Sequence, residues 1–188
     1  MEINIKVIPI ACLALPVVLL MALSAFADNK PINKQLVIEA GSSSPINLPN
    51  VLVPFDYIVT GGQPTFDQLK KAGEAGFKTV INLRTDAEQP SPAKESSWVE
   101  ELGMKYVHIP VAGAKGLTLK NTKALASELL NTEDYPLIIH CKSGNRVGAL
   151  FSLKAFYIDQ KSKIESIKIG KKAGLTSLEK AVQGMLQR

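Results

Sequence analysis

His140-Cys141-Lys142-Ser143-Gly144-Asn145-Arg146 is the stretch that decides how this chain folds. The apolar run Pro136-Leu137-Ile138-Ile139 leads into it, and a mostly apolar segment over 147–158 leads away. The short aliphatic run reads as a buried strand and the longer one as a buried helix. The seven residues are then a strand-to-helix turn. Such a turn aims successive backbone N–H groups at its centre, and the helix beyond adds partial positive charge at its first turn. It is a cradle for an anion. Cys141 lies at its base, where the same field favours thiolate over thiol. Arg146 can hold two oxygens of a phosphate or sulfate together. Gly144 permits close backbone approach. Ser143 can donate a hydrogen bond to the sulfur, and His140 sits behind the loop and fixes its shape. The competing reading is plain core packing, since free cysteine is among the most buried residue types. An arginine opposes the dipole at a helix start, however, and so wants a local anion.

Outward from the loop, residues 55–60, 78–84 and 106–111 read as further strands. Thr65 and Gln68 form a capping box for a helix reaching about Ala75, with Gly76 as its stop. Ser91 caps a helix with Pro92 at its first position, and Gly103 ends it. Thr118 caps a third, whose Thr122, Leu125, Ala126, Leu129 and Leu130 share one face. Two more are expected at 162–172 and 177–187, the second opened by a Thr176/Glu179 capping box. Strand and helix alternate four times. The fold class expected is α/β, a central, mainly parallel sheet of four to five strands flanked by helices. Ligands in such sheets lie beyond the carboxyl ends of the strands, where Cys141 stands.

The 188-residue chain carries a net charge of +5. Residues 1–27 read as a signal peptide: Lys6, an apolar run over 7–26, then the small-x-small end Ala25-Phe26-Ala27. An uncleaved anchor is the alternative. Cleavage leaves the charge unchanged, because Glu2 and Lys6 cancel. The expected location is periplasmic or secreted, with no stable membrane insertion once the leader is removed. Residues 28–50, polar and turn-rich, read as a flexible leading segment, and 51–188 as the single folded domain. The basic surface favours acidic partners, phosphorylated ones included, and is too diffuse for nucleic acid. Cys141 is the one cysteine left after cleavage, so no internal disulfide can form. Two histidines and one cysteine are too few and too scattered for zinc. No metal or organic cofactor is expected.

Val59-Thr60-Gly61-Gly62-Gln63-Pro64-Thr65, Val80-Ile81-Asn82-Leu83-Arg84, Asp86 with Glu88, Tyr106-Val107-His108-Ile109-Pro110-Val111, the 140–148 run and Ala173-Gly174-Leu175-Thr176 together resemble the cysteine-dependent phosphatases. More narrowly, residues 52–185 resemble bacterial dual-specificity-phosphatase-like proteins. That group includes the phosphatase-like domain of beta-lactamase-hydrolase-like proteins and the phosphatase domain fused to NAD kinases. The resemblance implies a hydrolase acting on phosphomonoesters. Cys141 would form a phosphocysteine, Lys142, Ser143, Gly144 and Asn145 would supply the cradle, Arg146 the clamp, and His140 the residue preceding the nucleophile.

Two features depart from that pattern. Four residues, not the usual five, separate Cys141 from Arg146. The resulting Cys-x-x-Gly-x-Arg span also resembles the rhodanese loop, which leaves open a sulfurtransferase carrying a persulfide on Cys141. The segment after Val111 has no carboxylate to serve as general acid. Asp86 and Glu88 are the nearest candidates, and Asp86 is taken as the acid. Without one, a non-catalytic anion-binding protein is the third reading. Arg84 is expected to brace the sheet end through a carboxylate such as Glu88. Lys115 reads as exposed surface, His108 as a strand-face residue and Trp98 as packing.

Overall fold

The structure, a computed structural model, describes residues 36–89 and 92–187. The leader expected at 1–27 lies outside them. Five strands form one sheet: β1 (Leu52–Phe55), β2 (Ile58–Gly61), β3 (Thr79–Asn82), β4 (Lys105–His108) and β5 (Leu137–His140). Their order is β1-β2-β5-β3-β4, with β1 antiparallel to β2 and every other neighbouring pair parallel. Parallel strands covered on both faces carry near-continuous apolar runs, and Val80, Ile81, Ile138 and Ile139 are wholly buried. The α/β architecture expected from the sequence is the one observed.

The helices are α1 (Phe66–Ala75), α2 (Pro92–Glu101), α3 (Leu119–Glu128), α4 (Asn145–Tyr157), α5 (Lys163–Lys172) and α6 (Glu179–Met185). Leu69 and Ala72 of α1 and Val99 of α2 pack with Val59, Val80 and Ile138 on one face of the sheet. Leu125 of α3, Leu150 and Leu153 of α4 and Val182 of α6 pack with Ile81 and Ile139 on the other. The Thr65/Gln68 capping box is present, and Gly76 closes α1 in the left-handed conformation. Both are local devices that a short sequence specifies by itself.

Three expectations change. The single strand at 55–60 is a hairpin, β1 turning into β2 at Asp56-Tyr57, with Tyr57 at a φ of 60°. The described part of the leading segment, 36–50, is irregular but packed: Ile38, Ile46 and Leu48 are each under 5% exposed. An apolar side chain of that size gains roughly 1.5–3 kcal/mol on leaving water, enough to tie down a stretch that is otherwise polar. The third change is at the C-terminal end. α6 starts at Glu179 without a side-chain cap: the Glu179 N–H donates to the Thr176 backbone oxygen, and the Thr176 N–H donates to Asn145 Oδ1, 2.9 Å away.

α4 and α5 meet backbone to backbone. A Cβ added at Gly148 would lie 2.0 Å from the Leu175 nitrogen and 2.5 Å from the Gly170 oxygen. That closeness draws the connection after α5 against the cysteine loop.

Candidate active site

The loop between β5 and α4 is pinned from several sides. Cys141 N–H donates to Gly61 O at 3.3 Å, and Gly62 and Ser143 form an isolated antiparallel bridge. Asn50 Nδ2 donates to Ser143 O at 3.2 Å. Asn145, expected in the cradle, turns its side chain outward: Nδ2 donates to Ser177 Oγ at 2.7 Å, and Oδ1 accepts from Thr176 N–H. Lys142 and Ser143 are exposed, while Gly144 is buried at a φ of 90°. That backbone lies in the left-handed region, which a β-carbon disfavours.

Cys141 is 1% exposed, and its sulfur accepts the Gly144 N–H at 3.1 Å. Burial alone would suit the packing reading. The hydrogen bond from the amide that opens α4 adds to it, aiming a backbone N–H at the sulfur.

Arg146, 7% exposed, is held from the far side. Nη1 donates to Glu88 Oε2 at 2.6 Å and to Val111 O at 2.8 Å, and Nη2 donates to Glu88 Oε1 at 2.8 Å. A guanidinium has five N–H donors. By that count one Nη2 hydrogen and the Nε hydrogen are left over from these bonds, and a further side-chain hydrogen bond links the guanidinium to the Cys141 sulfur. Burial opposes the charge on Arg146, but Glu88 and the Cys141 sulfur hold its pKa above the ordinary guanidinium value.

Glu88 is therefore a clamp on Arg146 rather than an acid. Its carboxylate also accepts from Thr85 N–H at 2.9 Å. Arg146 foremost, aided by Thr85 and opposed by burial, brings its pKa from 4.5 to about 2. A group that acidic carries no proton to donate near neutrality. Asp86 lies in the same 3-10 turn, Asp86–Glu88, beyond the carboxyl end of β3. Its side chain is 72% exposed, with Oδ1 3.8 Å from His108 Nδ1. The other His108 nitrogen, Nε2, lies 2.6 Å from Arg84 O.

Arg84 does brace the sheet end, though not through a carboxylate. Nη1 donates to Gln63 Oε1 at 2.6 Å, and Nη2 donates to the Glu88 backbone oxygen. Trp98 packs against Phe66, centroids 5.3 Å apart. Lys115 is exposed in the 3-10 turn Gly113–Gly116.

His140 is fully buried, and its Nε2 lies 2.7 Å from Glu95 Oε1. Sequence reasoning passed over Glu95, because an acidic residue in an amphipathic helix ordinarily faces water. The signal available was its placement one helical turn before the packed Val99. Beside the loop, Asn50, Val51, Leu52, Ser143, Lys171 and Thr176 line much of a cleft of about 410 Å³. Among the described residues, no cluster of three or more His, Cys, Asp or Glu side chains could hold a metal ion. No described helix is long and apolar enough to cross a membrane.

Residues 54–186 match the family model described as "DSP-PTPase phosphatase fused to NAD+ Kinase". Beta-lactamase hydrolase-like proteins of Xylella fastidiosa and Agrobacterium fabrum are 30% and 33% identical over 99 residues, 51% of this chain. The aligned part spans 22% of the length of each of those relatives. A DUF442 phosphatase from Shewanella putrefaciens superposes with a TM-score of 0.58 at 18% identity, covering 74% of this chain and 92% of its own. The catalytic core of the S. cerevisiae PP-IP phosphatase SIW14 gives 0.55 at 20%, covering 77% and 89%. At those identities the two structures speak for the fold.

Proposed function

Because the chain belongs to the family of DSP-PTPase phosphatases fused to NAD+ kinase, we propose that it hydrolyses phosphomonoesters through a phosphocysteine on Cys141. The observation that carries this is the sulfur itself, bonded to the Gly144 amide within reach of an arginine fork that Glu88 orients. The phosphoryl oxygens take the loop N–H groups and the edge of Arg146 turned to the sulfur. The Cys141 thiolate attacks phosphorus, the bond from phosphorus to the alcohol oxygen breaks, and the alcohol leaves with a proton. Water then breaks the S–P bond, releasing inorganic phosphate and restoring the thiolate. The fixed amides and guanidinium match the charge spread over the transferring group.

With Glu88 committed to Arg146, Asp86 is the carboxyl proposed to protonate the leaving oxygen. Its exposure at the carboxyl end of β3 supports that role. The substrate's phosphorus-free part would rest in the cleft beside Ser143 and Lys171. Export follows from the leader at 1–27, so the working compartment is outside the cytoplasm. A mature N-terminus at Asp28, read by sequencing the protein from a periplasmic or culture fraction, is the expected result.

Incubating the protein with an aryl phosphate tests the chemistry. Turnover is expected, with complete loss in Cys141→Ser; equal turnover in that variant would refute the mechanism. Parallel incubation with thiosulfate addresses the short loop. A mass gain of one sulfur on Cys141, without phosphate release, would favour the persulfide carrier instead.

A further inference from the structure

Three successive carbonyls of the cysteine loop are each held by a donor outside it. Lys142 O accepts the Gln63 N–H at 3.4 Å, Ser143 O accepts Asn50 Nδ2 at 3.2 Å, and Gly144 O accepts the Gly148 N–H at 3.1 Å. The first and third donors are backbone amides, one just past β2 and one in α4. The middle donor is a side chain from a residue 93 positions earlier in the chain.

The peptide unit that Asn50 holds is the one aimed at the sulfur. Its oxygen is Ser143 O, and its hydrogen is on Gly144 N, 3.1 Å from Cys141 Sγ. A trans peptide is planar, with its C=O and N–H pointing opposite ways. Holding the oxygen outward therefore turns the hydrogen inward. Half a turn of this unit would put the oxygen at the sulfur, against any anion bound there. It would carry the Gly144 φ from 90° to about −90°, and glycine takes either sign with little preference. Residue 144 does not choose the orientation; the bonds at the two ends of the unit do.

Asn50 is well placed for this. Val51 N–H donates to Leu48 O at 3.2 Å, so Leu48-Pro49-Asn50-Val51 is a tight turn, with Asn50 at a φ of 52°. Proline second and a positive φ third are the marks of a type II turn, whose third place goes to glycine or asparagine. The turn is seated on the sheet: Leu48 is buried, and Pro49 O accepts the Gly62 N–H at 2.6 Å. A Cβ on Gly62 would lie 2.9 Å from both Pro49 Cβ and Lys142 O, so turn, sheet end and loop meet with no room for a side chain between them. Asn50 and Ser143 meet at the surface, where both line the cleft beside the loop.

We propose that Asn50 is a positioning residue that holds the 143–144 peptide with its N–H toward the bound anion, and so sets the affinity of the loop for a phosphate group. This deepens the phosphomonoester reading and rests on it for its purpose. It concerns oxyanion binding, which is measured without turnover.

The test is binding of inorganic phosphate to the full chain, natural and with Asn50→Gly or Asn50→Asp, read together with the amide resonance of Gly144. Asn50→Gly keeps a residue that accepts the positive φ and removes the donor. Phosphate should then bind about threefold to tenfold more weakly, the shift expected from one neutral hydrogen bond. Asn50→Asp, which keeps the shape and replaces the donor by an acceptor, should lose at least as much in salt that screens its charge. The Gly144 resonance should move in both variants. kcat/KM should fall by one common factor for a small and a bulky aryl phosphate, because the altered contact is with the phosphoryl group. Unchanged phosphate affinity in folded Asn50→Gly overturns the proposal, as does an unmoved Gly144 resonance. A fall confined to the bulky substrate also overturns it, by making Asn50 only a wall of the cleft. If the natural chain binds no phosphate yet turns over the aryl phosphate, this proposal falls and the phosphocysteine reading stands. The expected binding and resonance changes in a chain without turnover would sink the phosphocysteine reading and leave this one standing.

Discussion

Glu88 and Glu95 occupy one connection, between β3 and β4, and serve one loop from opposite sides. Glu88 stands at the rim, a third exposed, and takes both ends of the Arg146 fork. Glu95 lies beneath, nearly sealed, and takes the ring of His140. Rim and floor differ in what water does to them. At the rim, screening weakens the ion pair, and the gain lies in geometry: the guanidinium is turned so that its other edge meets the sulfur. On the floor both side chains are nearly sealed from solvent, so charge and hydrogen bonds must balance locally. One carboxylate aims the arginine at the rim, and the other sits against the histidine beneath the loop.

The contrast breaks most decisively at Arg146. Arg146→Lys keeps the charge but loses the fork, and kcat/KM for an aryl phosphate should fall by about 10²–10³, the size seen when one preorganised donor is removed. A loss under tenfold would mean the fork is not the anion site. Glu88→Gln should cost less, about tenfold, since Arg146 keeps the Val111 carbonyl and its own charge. The loss should fall mainly on KM if Glu88 only aims the arginine. If it falls wholly on kcat, with the rate also losing its acid limb, Glu88 is acting as an acid after all.

The smallest effect is in stability at low pH. Glu88 is depressed from 4.5 to about 2, so its contribution to folding is complete above about 4.5 and is lost as pH falls through about 2. Urea unfolding of the natural protein and Glu88→Gln should therefore differ by a constant amount near neutrality. The difference should shrink below about pH 4.5. A gap that stays flat down to about pH 2.5 would contradict the assignment.

The loop and its sheet were legible because they are local. Leu137-Ile138-Ile139 says strand, Gly144 says turn, and the apolar run after Arg146 says buried helix. Thr65, Gln68 and Gly76 mark the ends of α1 in the same way. The hairpin was missed because Tyr57, at its positive φ, is not a residue type that signals a turn. Glu95 was missed for a different reason. Its partners are His140, Gln63 and Asn82, far apart in sequence and joined only when the sheet assembles. The position of Asn145 was legible, but its direction was not, since the acceptor and donors it meets belong to 176–178.

The family match begins at residue 54, yet the oxygen that takes the Gly62 N–H belongs to Pro49 and the amide that steadies Ser143 O belongs to Asn50. A recombinant derivative trimmed to the matched region would keep every strand of the parallel sheet and the cysteine, but it would strip two fasteners from the loop around it. Ile38, Ile46 and Leu48 would go with them, baring the apolar surface of α1 and β2. The smallest piece that folds as the whole does should start before Ile38, well upstream of where sequence similarity is first detected.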